Sequence, residues 1–347
     1  MTGKRIADFG IRVGSMEPGP RDKITDVPGV RVGQVTLRDG RINTGVTVIM
    51  PCEDNMFSRK LVAASHVQNG FGKTCGLVQI DELGTLETPI ALTNTLNVGL
   101  VSDALVSYMT ERCAQEHIPI RSLNPVVGET NDANINDILL RSVHEEHVLE
   151  AIRTASQDFE EGDAGAGTGT VCHGLKGGIG SASRVIPIAG KNYTLGILVQ
   201  SNYGCLEELN VCGRRVGREI LEARNRKAEE EAKDQGSIMV IAATDLPVTD
   251  RQLKRILRRC AAGLARCGSY FGHGSGDVMI GFSTENRVPT TAMDCVLNTR
   301  TLTEPSLEKA FKAAAEATEE AILNSLAAAS PAIGLNGQFY DSLSNWL

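Results

Sequence analysis

The sequence predicts an α/β protein, built as one large domain or two modest ones. Three observations carry this. The chain has 347 residues, enough to bury a sizeable core. Short β-branched runs recur between longer stretches of helical spacing. Glycine is abundant, at 36 residues, and supplies tight turns and close backbone approaches between those runs.

Taken in order, residues 24–37 and 44–51 read as two strands with a loop between them. Residues 63–80 are small and apolar, and 77–80 look like a further strand. Residues 88–95 form a strand ending in Asn94 and Thr95, which either face a pocket or cap the strand end. Residues 103–117 have helical spacing, with Leu105, Met109 and Cys113 on one face. A buried strand over 125–128 delivers a polar cluster: Glu129, Thr130, Asn131, Asp132, Asn136 and Asp137. Strand ends of this kind favour binding and catalysis, although Asn136 and Asp137 also suit a helix N-cap before Ile138.

Residues 145–157 are helical. Residues 165–170 do not make a dinucleotide loop, because Thr170 stands where G-x-G-x-x-G needs glycine, and no Walker pattern is present. A glycine-rich bend is expected instead, with His173 as a packed polar residue. Residues 193–200 are a buried strand that ends at Asn202. An amide there can donate to a developing oxyanion, or simply make a turn. Residues 214–234 read as a solvated charged helix or linker. A helix over 249–266, a loop over 272–277, a strand over 278–283 and an Ala-rich helix over 305–329 complete the pattern. The last helix serves either as an interface or as packing on a sheet.

The stretch around Gly236 and Ser237 organises the rest. A charged segment switches there, at Gly-Ser, to a purely apolar run. Such a junction is usually a turn. It is also where a self-cleaving hydrolase would cut, at a small residue followed by a hydroxyl residue opening a buried strand. Cleavage would give Ser237 a free α-amine, able to act as base for its own hydroxyl. An α-amine titrates near 8, so it can shuttle a proton without strong tuning.

Composition narrows the function. The net charge of −7 argues against nucleic acid. No run of about 18 apolar residues suggests a membrane span, and the N-terminus has no apolar signal core. A cytoplasmic protein is expected. The 9 cysteines show no C-x-x-C pair and read as reduced, mostly buried thiols, with no metal site and no cofactor.

Residues 24–30, 44–51, 127–137, 165–184, 198–204, 236–247 and 274–284 together resemble the DmpA/BapA family of self-processing aminopeptidases, which act as L-aminopeptidase/D-amidase/esterases or as β-aminopeptidases. The matching segments span nearly the whole chain in order. The resemblance implies a four-layer αββα sandwich, a single domain cut into 1–236 and 237–347, and a homotetramer of processed units. It implies that Ser237 is the nucleophile and that Ser275 and Asp277 are its proton network. Asn202 would serve the oxyanion, and Glu129 would bind the free amino group of a short peptide, amide or ester. Asn131 departs from the pattern, since some members carry Tyr there. Two rivals stand beside this reading: a self-processing acyltransferase of the ornithine-acetyltransferase type, which uses Thr where this chain has Ser237, and an unprocessed binding protein.

Overall fold

The computed structural model describes residues 3–224, 236–290 and 296–347. Strands β1 (Arg31–Asp39) and β2 (Ile42–Met50) pair antiparallel. The expected loop is only the turn at Gly40 and Arg41, and residues 24–26 are a short 3-10 turn ahead of the pair. Strand β3 (Arg59–Gly70) follows.

The strand expected at 77–80 is instead helix α1 (Leu77–Leu83). Gly76 and Gly84 bracket it at φ +88° and +65°, and Leu77, Ile80 and Leu83 fall at helical spacing. The four residues considered alone were too few to separate a period of two from one of 3.6.

Next come β4 (Thr85–Leu86), β5 (Ile90–Asn94), α2 (Val98–Gln115), β6 (Val126–Thr130) and α3 (Glu145–Arg153). A small hairpin, β7 (Val171–Cys172) with β8 (Leu175–Lys176), leads into β9 (Gly178–Ile188) and β10 (Lys191–Tyr203). Helix α4 (Val216–Ala223) is half-buried rather than fully solvated, with Val216 and Ile220 in the core. The rest of the expected charged linker, 225–235, lies outside the described residues. The chain then forms β11 (Gly236–Thr244), α5 (Asp250–Cys267), β12 (Ser275–Pro289) and α6 (Glu308–Ala327). Thr249 and Gln252 cap α5 reciprocally, and Gly268 ends it.

Among the described residues, a four-stranded sheet runs β1-β2-β5-β6 and a six-stranded sheet runs β4-β3-β12-β11-β10-β9. Helices α2 and α3 cover the outer face of the first sheet, and α5 and α6 that of the second. The result is the four-layer αββα sandwich expected. The Ala-rich helix packs on its sheet: Ala310, Ala313, Ala314, Ala317 and Ala321 are buried in the layer between α5, α6 and strands β9 and β10. Glu316 and Glu320 on that helix meet the buried Arg184 of β9 at 3.4 and 2.6 Å.

Strand alternation decides what faces the inter-sheet layer. On β11, Ile238, Val240 and Ala242 point to the helices, while Met239, Ile241 and Ala243 point to the other sheet. Ser237 therefore shares the inter-sheet face.

Candidate active site

Ser237 is the second residue of β11, a strand held on both sides. It pairs antiparallel with Asn202 on β10 and parallel with Gly276 on β12. Its side chain sits at the rim of the inter-sheet layer with 6% of its surface exposed. Gly276 lies beside it on the same face. A Cβ there would come 2.6 Å from the Phe71 carbonyl and 3.0 Å from Ser237 Oγ, so the hydroxyl occupies space that only glycine leaves. The residue before the serine is equally constrained. Gly236 has φ +111°, and a Cβ on it would fall 2.0 Å from the Asn202 carbonyl oxygen.

Asn202 stands directly across from Ser237. Its Oδ1 accepts a hydrogen bond from the Val171 N–H at 2.9 Å. That bond fixes the amide's orientation and leaves the NH2 group as the donor on its other side. The holder, Val171, opens β7 directly after the glycine-rich loop. Behind it Lys176 is buried, and its Nζ donates to the carbonyls of Gly167 and Gly177 at 2.9 and 2.8 Å. Burial pushes the Lys176 amine down to about 7.

Glu129 is the last residue but one of β6, on the opposite sheet. It is 2% exposed, and both carboxylate oxygens are engaged: Oε1 accepts from the Lys73 backbone N–H at 2.8 Å, and Oε2 from the Thr95 hydroxyl. A cavity of about 620 Å³ joins Glu129 and Ser237, lined also by Thr95, Asn131, Phe71, Lys73, Tyr270 and His273. Asn131 is an exposed wall residue whose Oδ1 accepts from the Ala133 N–H.

Ser275 and Asp277 come together, with Ser275 Oγ donating to Asp277 Oδ1 at 2.7 Å, both fully buried. They are register partners of Gly236 and Ile238. They thus flank the Ser237 position along β12, on the face opposite the Ser237 side chain.

The remaining expectations divide. Asn94 is a cap, its Oδ1 accepting from the Asn97 N–H, whereas Thr95 faces the cavity. Asp132 and Asn136 hold each other and Thr44, not a helix end, and burial raises the Asp132 carboxyl to about 6. His173 is packed, its ring 4.9 Å from that of Tyr203. Sequence reasoning missed Phe71, Lys73 and Tyr270. The signal for Phe71 was its place between Gly70 and Gly72, a pattern that presents a ring on a loop.

Comparison with known proteins sets the class: the protein is a serine aminopeptidase with the fold of the Ntn hydrolases. The chain belongs to Peptidase family S58, whose pattern matches residues 22–340. It is 39% identical to the beta-peptidyl aminopeptidase BapA of Sphingosinicella microcystinivorans, over 96% of this chain and 88% of that protein. The PH0078 protein of Pyrococcus horikoshii OT3 superposes with a TM-score of 0.92 at 44% identity, covering 98% of this chain and 96% of that one. The l-aminopeptidase d-ala-esterase/amidase of Ochrobactrum anthropi, described as a prototype for the serine aminopeptidases and a variant of the Ntn hydrolase fold, gives 0.86 at 34% identity over 97% and 93%. Among the described residues, no helix is long and apolar enough to cross a membrane.

Proposed function

We propose that the chain cuts itself between Gly236 and Ser237 and then releases N-terminal L-, D- or β-amino acids from short peptides, amides and esters. One observation carries this reading: a confined serine and a carboxylate buried to 2% exposure share one cavity. Ser237 Oγ attacks the Gly236 carbonyl, the C–N bond breaks, and the ester so formed is resolved by water. The products are residues 1–236 and a new α-amine on Ser237. Gly236 adopts a positive φ, a conformation that suits a residue without a side chain.

In turnover, Glu129 takes the substrate ammonium and sets the first acyl carbon against Ser237. The α-amine accepts the Ser237 proton and later gives it to the leaving amine. Asn202 donates to the oxyanion, and the Ser275–Asp277 pair balances the charge that develops on the amine. Asn131, on the open wall, bears on side-chain preference. Water then frees the amino acid from the acyl-enzyme. Buried thiols at Cys52, Cys113, Cys260 and Cys267 suit a reducing cytoplasm. Exposed Val78, Leu139 and Leu140 suit assembly into a tetramer of processed units, which a solution mass would check.

The test is denaturing mass spectrometry of the wild type beside Ser237→Ala. Two fragments from the wild type, cut after Gly236, and one chain from the variant are expected. One intact chain from both, with no hydrolysis of aminoacyl-nitroanilides, would favour a binding protein. Transfer to an amine acceptor in preference to water would favour an acyltransferase.

A further inference from the structure

Resting on that function, a second charge in the cavity bears on the substrate. Among the described residues lining it, Lys73 is the one lysine or arginine. Its backbone N–H is spent on Glu129, which anchors the residue at the cavity wall. Its side chain departs from that point: Nζ lies 4.8 Å from the centre of the Phe71 ring. Phe71 in turn borders the nucleophile, since its carbonyl and Ser237 Oγ crowd the same space beside Gly276. Among the described residues the Lys73 ammonium makes no ion pair. The cavity wall therefore carries a carboxylate, the nucleophile and a lysine ammonium that makes no ion pair among the described residues, around a volume of about 620 Å³ that suits a short peptide.

A zwitterion fits this layout. Its ammonium goes to Glu129, its scissile carbonyl to Ser237, and its negative end must then find a cation. We propose that Lys73 reads the C-terminal carboxylate of the leaving amino acid, so that the preferred substrates are dipeptides with a free C-terminus rather than their neutral amides. Lysine suits the task as a compact charge on a flexible stem, able to follow leaving groups of different shape. Charge complementarity of this kind sets selectivity more than overall affinity. A part-exposed pair contributes modestly, so the expected preference is about two- to fivefold.

The experiment compares alanyl-alanine with alanyl-alaninamide, which differ only in that charge, and adds alanine p-nitroanilide as a substrate with no carboxylate. The readout is the ratio of kcat/KM for dipeptide over dipeptide amide within each protein, which cancels general damage. Wild type should give a ratio of about two to five, arising in KM and falling as salt is raised. Lys73→Met should bring the ratio to about one, and Lys73→Arg should restore most of it. A wild-type ratio near one, or an unchanged ratio in Lys73→Met, overturns the proposal while hydrolysis of the nitroanilide leaves the aminopeptidase reading standing. No hydrolysis of any of the three by wild type overturns both.

Discussion

Asn202 and Ser237 stand opposite each other across the β10–β11 ladder, on the face that looks into the inter-sheet layer. The Val171 N–H pins the amide oxygen of Asn202 at 2.9 Å. Replacing Asn202 with Ala should remove that pre-aimed donor, together with the acceptor that the Val171 N–H uses. A fall in kcat of about 10²–10³, with KM within a few-fold of wild type, is expected from steady-state kinetics. A matching loss in KM would place Asn202 in substrate binding instead.

Glu129→Gln should separate the two reactions of Ser237. The amide oxygen still accepts from the Lys73 N–H, so the wall holds its shape. Self-cleavage involves no free ammonium and should proceed. Hydrolysis should suffer, with kcat/KM down about 10- to 100-fold, the scale of a lost charge-assisted hydrogen bond. Gel analysis of cleavage beside a nitroanilide assay checks both halves.

Gly276→Ala tests the space around the hydroxyl. The new methyl group would sit 2.6 Å from the Phe71 carbonyl oxygen and 3.0 Å from Ser237 Oγ, and something must move. A cost of about 1–3 kcal/mol in stability is expected from overpacking. Displacement of the serine should slow self-cleavage and hydrolysis together. Denaturant unfolding and the fragment pattern report the two effects separately.

Lys176 predicts a pH dependence of stability. Burial pushes its folded value down to about 7, from 10.5 unfolded. Between those values the unfolded chain binds more protons, so stability rises with pH there. The contribution is full above 10.5 and is lost as pH falls through about 7. The slope is at most about 1.4 kcal/mol per pH unit. Lys176→Met removes it. Unfolding measured from pH 7 to 9 should show the wild type gaining on the variant; parallel curves would mean the amine keeps its proton.

Much of the fold was legible because its strands are long, apolar and bounded by glycine. The strands that deliver Glu129 and Asn202 at their ends, and the one that Ser237 opens, were each read from the sequence, and the structure brings all three residues to one region. What failed did so for local reasons. Residues 77–80 were too short a window for a periodicity decision. Lys73 and Tyr270 carry no spacing signal, since they reach the cavity from loops that only the tertiary fold brings together. The face of Ser275 and Asp277 depends on strand register, which no linear pattern specifies.

The order of strands in the larger sheet has a bearing on timing. β11 and β12, which follow the Gly236–Ser237 bond apart from Gly236 itself, sit in the middle of that sheet, flanked by β3 and β10 from before it. Neither portion alone has a complete sheet: the first would show two raw edges facing a gap, and the second would be a bare strand pair. The crowding that holds Ser237 against its neighbours exists only once the gap is filled. On the proposed function, scission at that bond would report finished folding, and a chain that stalled on the way would stay whole and inert.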